Sequence, residues 1–222
     1  TERYNGTSWS ETSDLATAPH RACGNGAGSI SSTTGAICSG AYPGVATTEE
    51  FSSSVTATTA ASWSSGGNTN NARRNAGCMG TQTAGLYAGG FGPPYLNYSE
   101  EYNGTSWTEG NNTTLQRECA TAGFGTQTAG AIAGGGAPDN IPNGYSNSTD
   151  EYDGTNWSEG GDINTARLGM ACCGTQTAGF GAGGYVGASN PLAPPSNTAR
   201  CEQYDGTSWT EVADLNTARS SM

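Results

Sequence analysis

Pairs of acidic residues recur along the chain, and two carboxyl groups at a set separation are what a glycoside hydrolase uses for catalysis. The pairs are Glu49-Glu50, Glu100-Glu101 and Asp150-Glu151, and each directly precedes an aromatic residue. Hydrolysis needs one pair of carboxylates in two different environments, whereas these pairs repeat in register. We therefore interpret them as features of a repeated strand, and a secreted carbohydrate-active enzyme remains an alternative.

Other groups that could do chemistry are sparse. The single histidine, His20, has no second group at a recognisable spacing, so acid–base catalysis finds little support. The seven cysteines include no Cys-x-x-Cys pair, and we predict no metal site and no cofactor. Cys23 and Cys38 fall on the first two strands of one repeat, where a disulfide and two buried thiols remain alternatives. We predict that the protein is not an enzyme.

The charge balance excludes two classes of partner. All 8 basic residues are scattered arginines, and the net charge is −11. Neutralising phosphates takes clustered basic side chains, so we predict no nucleic-acid partner. No window approaches the length of apolar sequence that spans a bilayer, so we predict no membrane insertion. The acidic surface, rich in Thr, Ser, Asn and Gly, favours an extracellular or virion-associated protein.

The elements that carry these residues are set by a repeat. One block returns five times, and its copies end at Trp9, Trp63, Trp107, Trp157 and Trp209. Four copies place a tyrosine five residues earlier, at Tyr4, Tyr102, Tyr152 and Tyr204, and the remaining copy has Phe51. The tryptophans are 54, 44, 50 and 52 residues apart, a period typical of propeller blades. We predict that these aromatic residues pack repeat against repeat.

Each repeat has further constant positions. An arginine lies ten residues after the tryptophan in four copies, at Arg73, Arg117, Arg167 and Arg219. A Gly-Thr-Gln-Thr-Ala-Gly block and a double glycine follow in three copies, the double glycines at 89–90, 134–135 and 183–184. We predict four strands per repeat, with a turn at Gly-Thr-Gln-Thr and close backbone approach at the double glycine. An Asn-Gly or Asp-Gly pair between tyrosine and tryptophan predicts a type I′ hairpin.

The predicted fold class is all-β, as a β-propeller or an open array of four-stranded antiparallel blades. We predict one repeat domain over 1–222, with repeats at 10–63, 64–107, 108–157 and 158–209 and partial copies at 1–9 and 210–222. The partial copies have strands without a neighbour in their own repeat. Such strands invite addition of another chain, so we predict self-association through the terminal strands into a fibre or appendage.

Candidate binding residues lie where the repeats differ. The segments between the double glycine and the third strand vary in length, and they carry Tyr42, Tyr95, Tyr98, Tyr145 and Tyr185. Variable loops on a rigid scaffold are common binding sites, and ordinary loop variation is the alternative. The four repeated arginines either bond neighbouring blade carbonyls or form a binding ring at one mouth. Asn-x-Ser/Thr triplets at Asn97, Asn111 and Asn147 would accept N-glycans in a secreted eukaryotic setting.

The double glycine, tyrosine and tryptophan of each repeat resemble those of the kelch family. The blocks Tyr-Asp-Gly-Thr-Ser-Trp-Thr-Glu, Asn-Thr-Ala-Arg and Gly-Thr-Gln-Thr-Ala-Gly are similar to kelch-like arrays in bacteriophage and environmental proteins regarded as tail or fibre components. Phe51 and Ser39-Gly40 depart from the pattern. The resemblance implies a kelch-like propeller and a non-enzymatic structural and recognition module, with a cell-surface glycan or protein as ligand. A soluble kelch-type protein-binding adaptor is the alternative.

Overall fold

A computed structural model gives the architecture. It describes residues 64–119, 122–137, 144–187 and 196–220, and before residue 64 it describes only the backbones of the strands named below. The described part of the chain is built from β-strands and turns. It holds no helix of the length and apolar character needed to cross a membrane.

The chain begins with a hairpin of β1 (Glu2–Tyr4) and β2 (Trp9–Glu11), followed by four sheets of four antiparallel strands that we call blades 1 to 4. Blade 1 contains β3 (Cys23–Gly24), β4 (Gly35–Ser39), β5 (Thr48–Ser52) and β6 (Ser62–Ser65). Blade 2 contains β7 (Gly77–Thr81), β8 (Ala84–Ala88), β9 (Ser99–Tyr102) and β10 (Trp107–Glu109). Blade 3 contains β11 (Gly123–Gly125), β12 (Gly130–Ala133), β13 (Thr149–Tyr152) and β14 (Trp157–Glu159).

Blade 4 is interrupted by a small additional sheet. The small sheet contains β15 (Arg167–Leu168), β18 (Tyr185–Val186) and β19 (Ser196–Asn197), and blade 4 itself contains β16 (Ala171–Thr175), β17 (Ala178–Ala182), β20 (Cys201–Tyr204) and β21 (Trp209–Val212). In every blade, strands that are successive in the blade are neighbours in the sheet. The first strands of successive blades contact one another, β3 with β7, β7 with β11 and β11 with β16. These findings confirm the predicted all-β fold of four-stranded antiparallel blades.

The hairpin between tyrosine and tryptophan is present, but its turn differs from the predicted type. The strands pair Tyr102 with Trp107, so the connection has four residues rather than the two of a type I′ turn. Gly104 has a φ of +88°, while Asn103 is not among the positive-φ residues. The Asn103 side-chain oxygen instead accepts backbone N–H groups of Thr105 and Ser106, at 3.0 and 2.9 Å. A carboxylate accepts the same two bonds, which explains why Asp153 and Asp205 replace it.

The double glycine lets one blade approach the connection that leads into the next. Gly134 and Gly135 have φ values of +66° and +110°, which side chains other than glycine rarely adopt. The Gly135 N–H donates to the Arg167 carbonyl at 2.8 Å, and a Cβ at Gly134 would lie 2.7 Å from the same oxygen. The structure thus shows the close backbone approach at this glycine pair.

Candidate functional site

The interface between blades 2 and 3 is filled by aromatic residues of the later blade. Tyr152 and Trp157 share one buried cluster with Met79 and Leu86, which lie on the first two strands of the earlier blade. Trp157 is 9% exposed, and its ring lies 4.9 Å from that of Tyr152. The aromatic pair of one repeat therefore covers the apolar face of the repeat before it.

The interface between blades 3 and 4 repeats this packing with different apolar side chains. Tyr204 and Trp209 join a buried cluster with Phe124 and Ala131 of blade 3. The Phe124 and Trp209 rings meet edge to face at 5.8 Å. The Trp209 indole N–H also donates to the Thr149 hydroxyl at 2.9 Å. Both described interfaces thus use the repeated tyrosine and tryptophan in packing.

Three of the repeated arginines form buried ion pairs with the acid two residues before a repeated tyrosine, which in blades 2 and 3 is the first acid of an acidic pair. The N···O distances are 3.0 Å for Arg73–Glu100, 2.8 Å for Arg117–Asp150 and 2.6 Å for Arg167–Glu202. None of the six side chains is more than 1% exposed. These three arginines have no surface to offer a ligand, so we assign them to the framework of each blade and not to a binding ring.

The second acid of the pairs in blades 2 and 3 reaches across to the next blade. Glu101 accepts a hydrogen bond from the Tyr152 hydroxyl, and Glu151 accepts one from the Tyr204 hydroxyl at 2.9 Å. Burial, followed by the bond to Glu101, raises the pKa of Tyr152 above its usual range. The recurrence of two adjacent acids is therefore explained by two structural tasks, one inside the blade and one between blades.

The Tyr204→Phe variant should lose stability at neutral pH and become less sensitive to alkali. Burial and the bond to Glu151 raise the pKa of Tyr204 to about 12 from an ordinary 10.0. Because the folded pKa is the higher one, the stabilisation is present below pH 10 and is lost as the pH rises towards 12. A hydrogen bond to a charged group contributes about 1.5–3 kcal/mol. Urea unfolding at pH 7 and at pH 11 measures both effects, and equal losses at the two pH values would contradict this account.

A glutamine in the first turn of blades 3 and 4 forms a further link that the sequence analysis did not identify. The Gln127 side-chain amide donates to the Gly85 and Tyr102 carbonyls of the preceding blade, at 3.1 and 2.9 Å. Gln176 donates to the Gly130 and Tyr152 carbonyls in the same way, at 3.0 and 2.9 Å. The repeated Gly-Thr-Gln-Thr block was a signal for this role, because a turn alone does not require glutamine.

The variable loops lie beside the double glycines and form the candidate binding face. The backbone of Phe91 forms β-bridges with both Arg74 and Tyr95. In blade 3 the backbone of Gly136 forms β-bridges with both Glu118 and Tyr145. In blade 4 the small sheet extends this arrangement and pairs Leu168 with Tyr185 and Tyr185 with Asn197. The loops therefore begin and end on a shared backbone frame, while residues 138–143 and 188–195 between them are outside the described residues.

Aromatic side chains are the main feature of this face. The Phe91 and Tyr95 rings meet edge to face at 5.2 Å, and the Arg74 guanidinium lies 4.4 Å from the Phe91 ring centroid. Tyr185 is 36% exposed, and it is the one exposed large hydrophobic residue of the described chain. Burial, and then the nearby Glu118 and Tyr185, raise the pKa of Tyr145. Tyr145 and Tyr185 of adjacent blades are thus close enough to affect each other.

The remaining predicted residues are placed as follows. Tyr98 is partly buried beside β9, and Tyr42, Tyr4, Trp9 and Trp63 have side chains outside the described residues. Asn147 and Asn111 are exposed, and the Asn111 amide donates to the Thr155 carbonyl of the next blade at 2.9 Å. Asn97 is partly buried, and its carbonyl accepts the Thr113 N–H at 2.8 Å.

The cysteines give no sign of a reactive or metal-binding centre in the described residues. Strand register pairs Cys23 with Ser39 and Cys38 with Gly24, so the two predicted disulfide partners are not opposite each other, and their side chains lie outside the described residues. Cys172, Cys173 and Cys201 are free thiols, and burial raises the pKa of Cys172 above its usual range. No group of three or more His, Cys, Asp or Glu side chains in the described segments could hold a metal ion.

Comparison with known proteins supports the fold and goes no further. No family model matches the chain, and no curated protein matches it. The chain is similar to the solved structure of YjhT, with a TM-score of 0.54 over 94% of this chain and 88% of that one. The two sequences are 8% identical, so the likeness shows the fold alone. It agrees with a β-propeller or blade array built from repeats that pack face to face.

Proposed function

We propose that this protein is a non-enzymatic structural and recognition module of an extracellular or virion appendage, such as a phage tail fibre or a filament subunit. The kelch-like repeat supplies a scaffold, and the variable loops bind a cell-surface glycan or protein. One observation carries the proposal. The repeated Arg, Glu, Tyr, Trp and Gln side chains have partners within or between blades, whereas the loops combine a constant backbone frame with varied aromatic side chains.

The acidic pairs support the non-enzymatic part of the proposal. In blades 2 and 3 the first acid pairs with a buried arginine and the second binds a tyrosine of the next blade. A hydrolase needs a carboxyl group that is available to substrate. These carboxylates are held in the framework and repeat from blade to blade.

Recognition through the loop face is tested with a printed array of bacterial and animal surface glycans. Tyr185→Ala and Tyr145→Ala should each weaken binding to any glycan that the unaltered chain captures, by about 10-fold or more for a residue that anchors the contact. Thr155→Ala is the matched control, because Thr155 is exposed on a hairpin turn and does not belong to the loop face. Equal loss in the control would contradict loop recognition, and turnover of a captured glycan would contradict the non-enzymatic assignment.

A soluble protein-binding adaptor inside the cell is the second candidate. The observation that favours it is the presence of free thiols at Cys172, Cys173 and Cys201, since cysteines of secreted proteins are commonly paired in disulfides. Alkylation of the isolated protein after unfolding without a reducing agent, followed by mass measurement, counts the reduced cysteines. Seven reduced cysteines support the adaptor, and a disulfide formed in the native protein supports the appendage.

A further inference from the structure

Blade 4 exposes one face. In blades 2 and 3 the same face is covered by the blade that follows. We propose that this face of blade 4 binds the N-terminal hairpin β1–β2 of a second copy of the chain. The inference deepens the proposed self-association and rests on it, and it names the residues on both sides. The two described interfaces show what such a face binds.

The backbone of Arg219 makes the same hydrogen bonds as the backbone of the arginine between two successive blades. The N–H of the second glycine in each pair donates to an arginine carbonyl at 2.8 Å, from Gly90 to Arg117, from Gly135 to Arg167 and from Gly184 to Arg219. The Arg219 N–H also donates to the Thr198 carbonyl at 3.2 Å, as the Arg117 N–H does to the Leu96 carbonyl. Arg219 therefore has the position of a junction arginine.

The side chain of Arg219 lacks the buried carboxylate partner that Arg117 and Arg167 have. Arg117 and Arg167 are fully buried against a carboxylate of the blade that follows them. Arg219 is exposed, and its Nε donates only to the nearby Thr217 carbonyl at 3.4 Å. No carboxylate of the described residues forms an ion pair with it. At the other two junctions the partner is an acid on the third strand of the blade that follows.

The apolar part of the face is also uncovered. Register aligns Cys173 with Met79 and Phe180 with Leu86, the two side chains that the next blade buries to 4% and 1% exposure. Cys173 and Phe180 are only partly buried. An open groove over this part of blade 4 is lined by Phe180 together with Gly179, Gln203 and Tyr204.

A polar group at the groove of blade 4 matches the groups with which blades 2 and 3 bind the blade that follows. Gln203 stands directly before Tyr204, where Glu101 and Glu151 accept a tyrosine hydroxyl from the following blade. The amide oxygen of Gln203 can accept the same bond. The face thus offers an arginine for a carboxylate, an apolar pair for an aromatic pair, and an acceptor for a tyrosine hydroxyl.

The hairpin β1–β2 carries the complementary set. It pairs Tyr4 with Trp9, as β9 and β10 pair Tyr102 with Trp107, and Glu2 lies two residues before the tyrosine. Glu100, Asp150 and Glu202 lie two residues before their tyrosines and are the acids that pair with the buried arginines. The hairpin therefore supplies the acid, the tyrosine and the tryptophan in the spacing that each interface uses.

The chain's own hairpin β1–β2 is formed in this structure, yet Arg219 remains exposed. The occupant of the face is therefore the hairpin of a second copy. Binding of the hairpin from another copy makes a head-to-tail contact, in which the two surfaces differ and further copies can add. Ring closure by the chain's own hairpin is the competing outcome.

Charge reversal separates these outcomes. Arg219→Glu and Glu2→Arg are each made in the full chain, and mass is measured by analytical ultracentrifugation over a range of concentrations. The unaltered chain should associate, and each variant alone should bind itself about 30-fold or more weakly, as expected on losing one partner of a buried charge pair. An equimolar mixture of the two variants should associate again, because both contacts then join opposite charges. Arg200→Glu, which reverses an exposed arginine, should leave association unchanged.

Three results would overturn the proposal. The unaltered chain could stay monomeric at every concentration, or the two variants could associate as well as it does. Alternatively, stability lost in each single variant could return only when both changes are in one chain, which would assign the face to the chain's own hairpin. Retained glycan binding by a monomeric chain would show that this inference fails while loop recognition stands.

Discussion

The Arg117→Met variant should lose about 3–5 kcal/mol of unfolding free energy, because removing one partner leaves the other charge buried and uncompensated. Arg117 lies 2.8 Å from Asp150, and neither side chain is exposed. It also donates to the Ser148 carbonyl at 2.7 Å, and the substitution removes this hydrogen bond as well. Urea unfolding followed by tryptophan fluorescence measures the change.

Arg200→Met is the matched control for this prediction. Arg200 and Glu211 form an ion pair at 3.9 Å with side chains 46% and 52% exposed, and such surface pairs contribute about 0–1 kcal/mol. The double variant Arg117→Met/Asp150→Leu should recover part of the loss, because the unpaired carboxylate is then absent. Similar small losses for Arg117→Met and Arg200→Met would show that the buried pair does not hold the blade together.

The second large effect is expected at the double glycine. Gly135→Ala should cost about 3 kcal/mol or more, since strained backbone alone costs about 1–3 kcal/mol and the added Cβ also overlaps the Glu118 carbonyl oxygen. Gly135 has a φ of +110°, and the oxygen belongs to backbone that is held by its own bridge to Gly136. Neither the torsion nor the contact can relax without moving the backbone at Glu118.

Gly144→Ala separates the torsion from the contact. Gly144 has a φ of +68°, and a Cβ built there has no heavy atom within 4 Å. This control should cost about 1–2 kcal/mol, the penalty for placing an L-residue in the left-handed region. Urea unfolding compares the two variants, and an equal loss at both positions would mean that the close contact with the Glu118 carbonyl adds nothing to the cost of the torsion.

The sequence predicts the fold well because the repeat makes the same physical demand several times. Tyrosine, tryptophan and double glycine recur at fixed spacing, and each one serves an interface that every blade must form. The hairpin location follows from Asn103-Gly104 and its equivalents. Its turn type does not, because the same dipeptide suits both a two-residue turn and a four-residue turn capped by the Asn side chain.

The roles of the charged residues were harder to predict. An arginine in register is compatible with a ring of exposed guanidinium groups and with a buried ion pair, and periodicity does not distinguish the two. The acid two residues before the tyrosine recurs together with that arginine, and this joint recurrence was the available signal for Arg117–Asp150. The variable segments follow the double glycines in sequence, but the pairing of Phe91 with Tyr95 depends on backbone contacts that loop composition does not encode.

Electron microscopy of the native material, with mass measured on the same sample, tests the central claim that this chain is an assembling appendage module. The account predicts filaments or appendage-like fibres built from a repeating 222-residue unit, with the last blade of one copy against the first hairpin of the next. Isolated small rings with the mass of one chain, at every concentration, would contradict it.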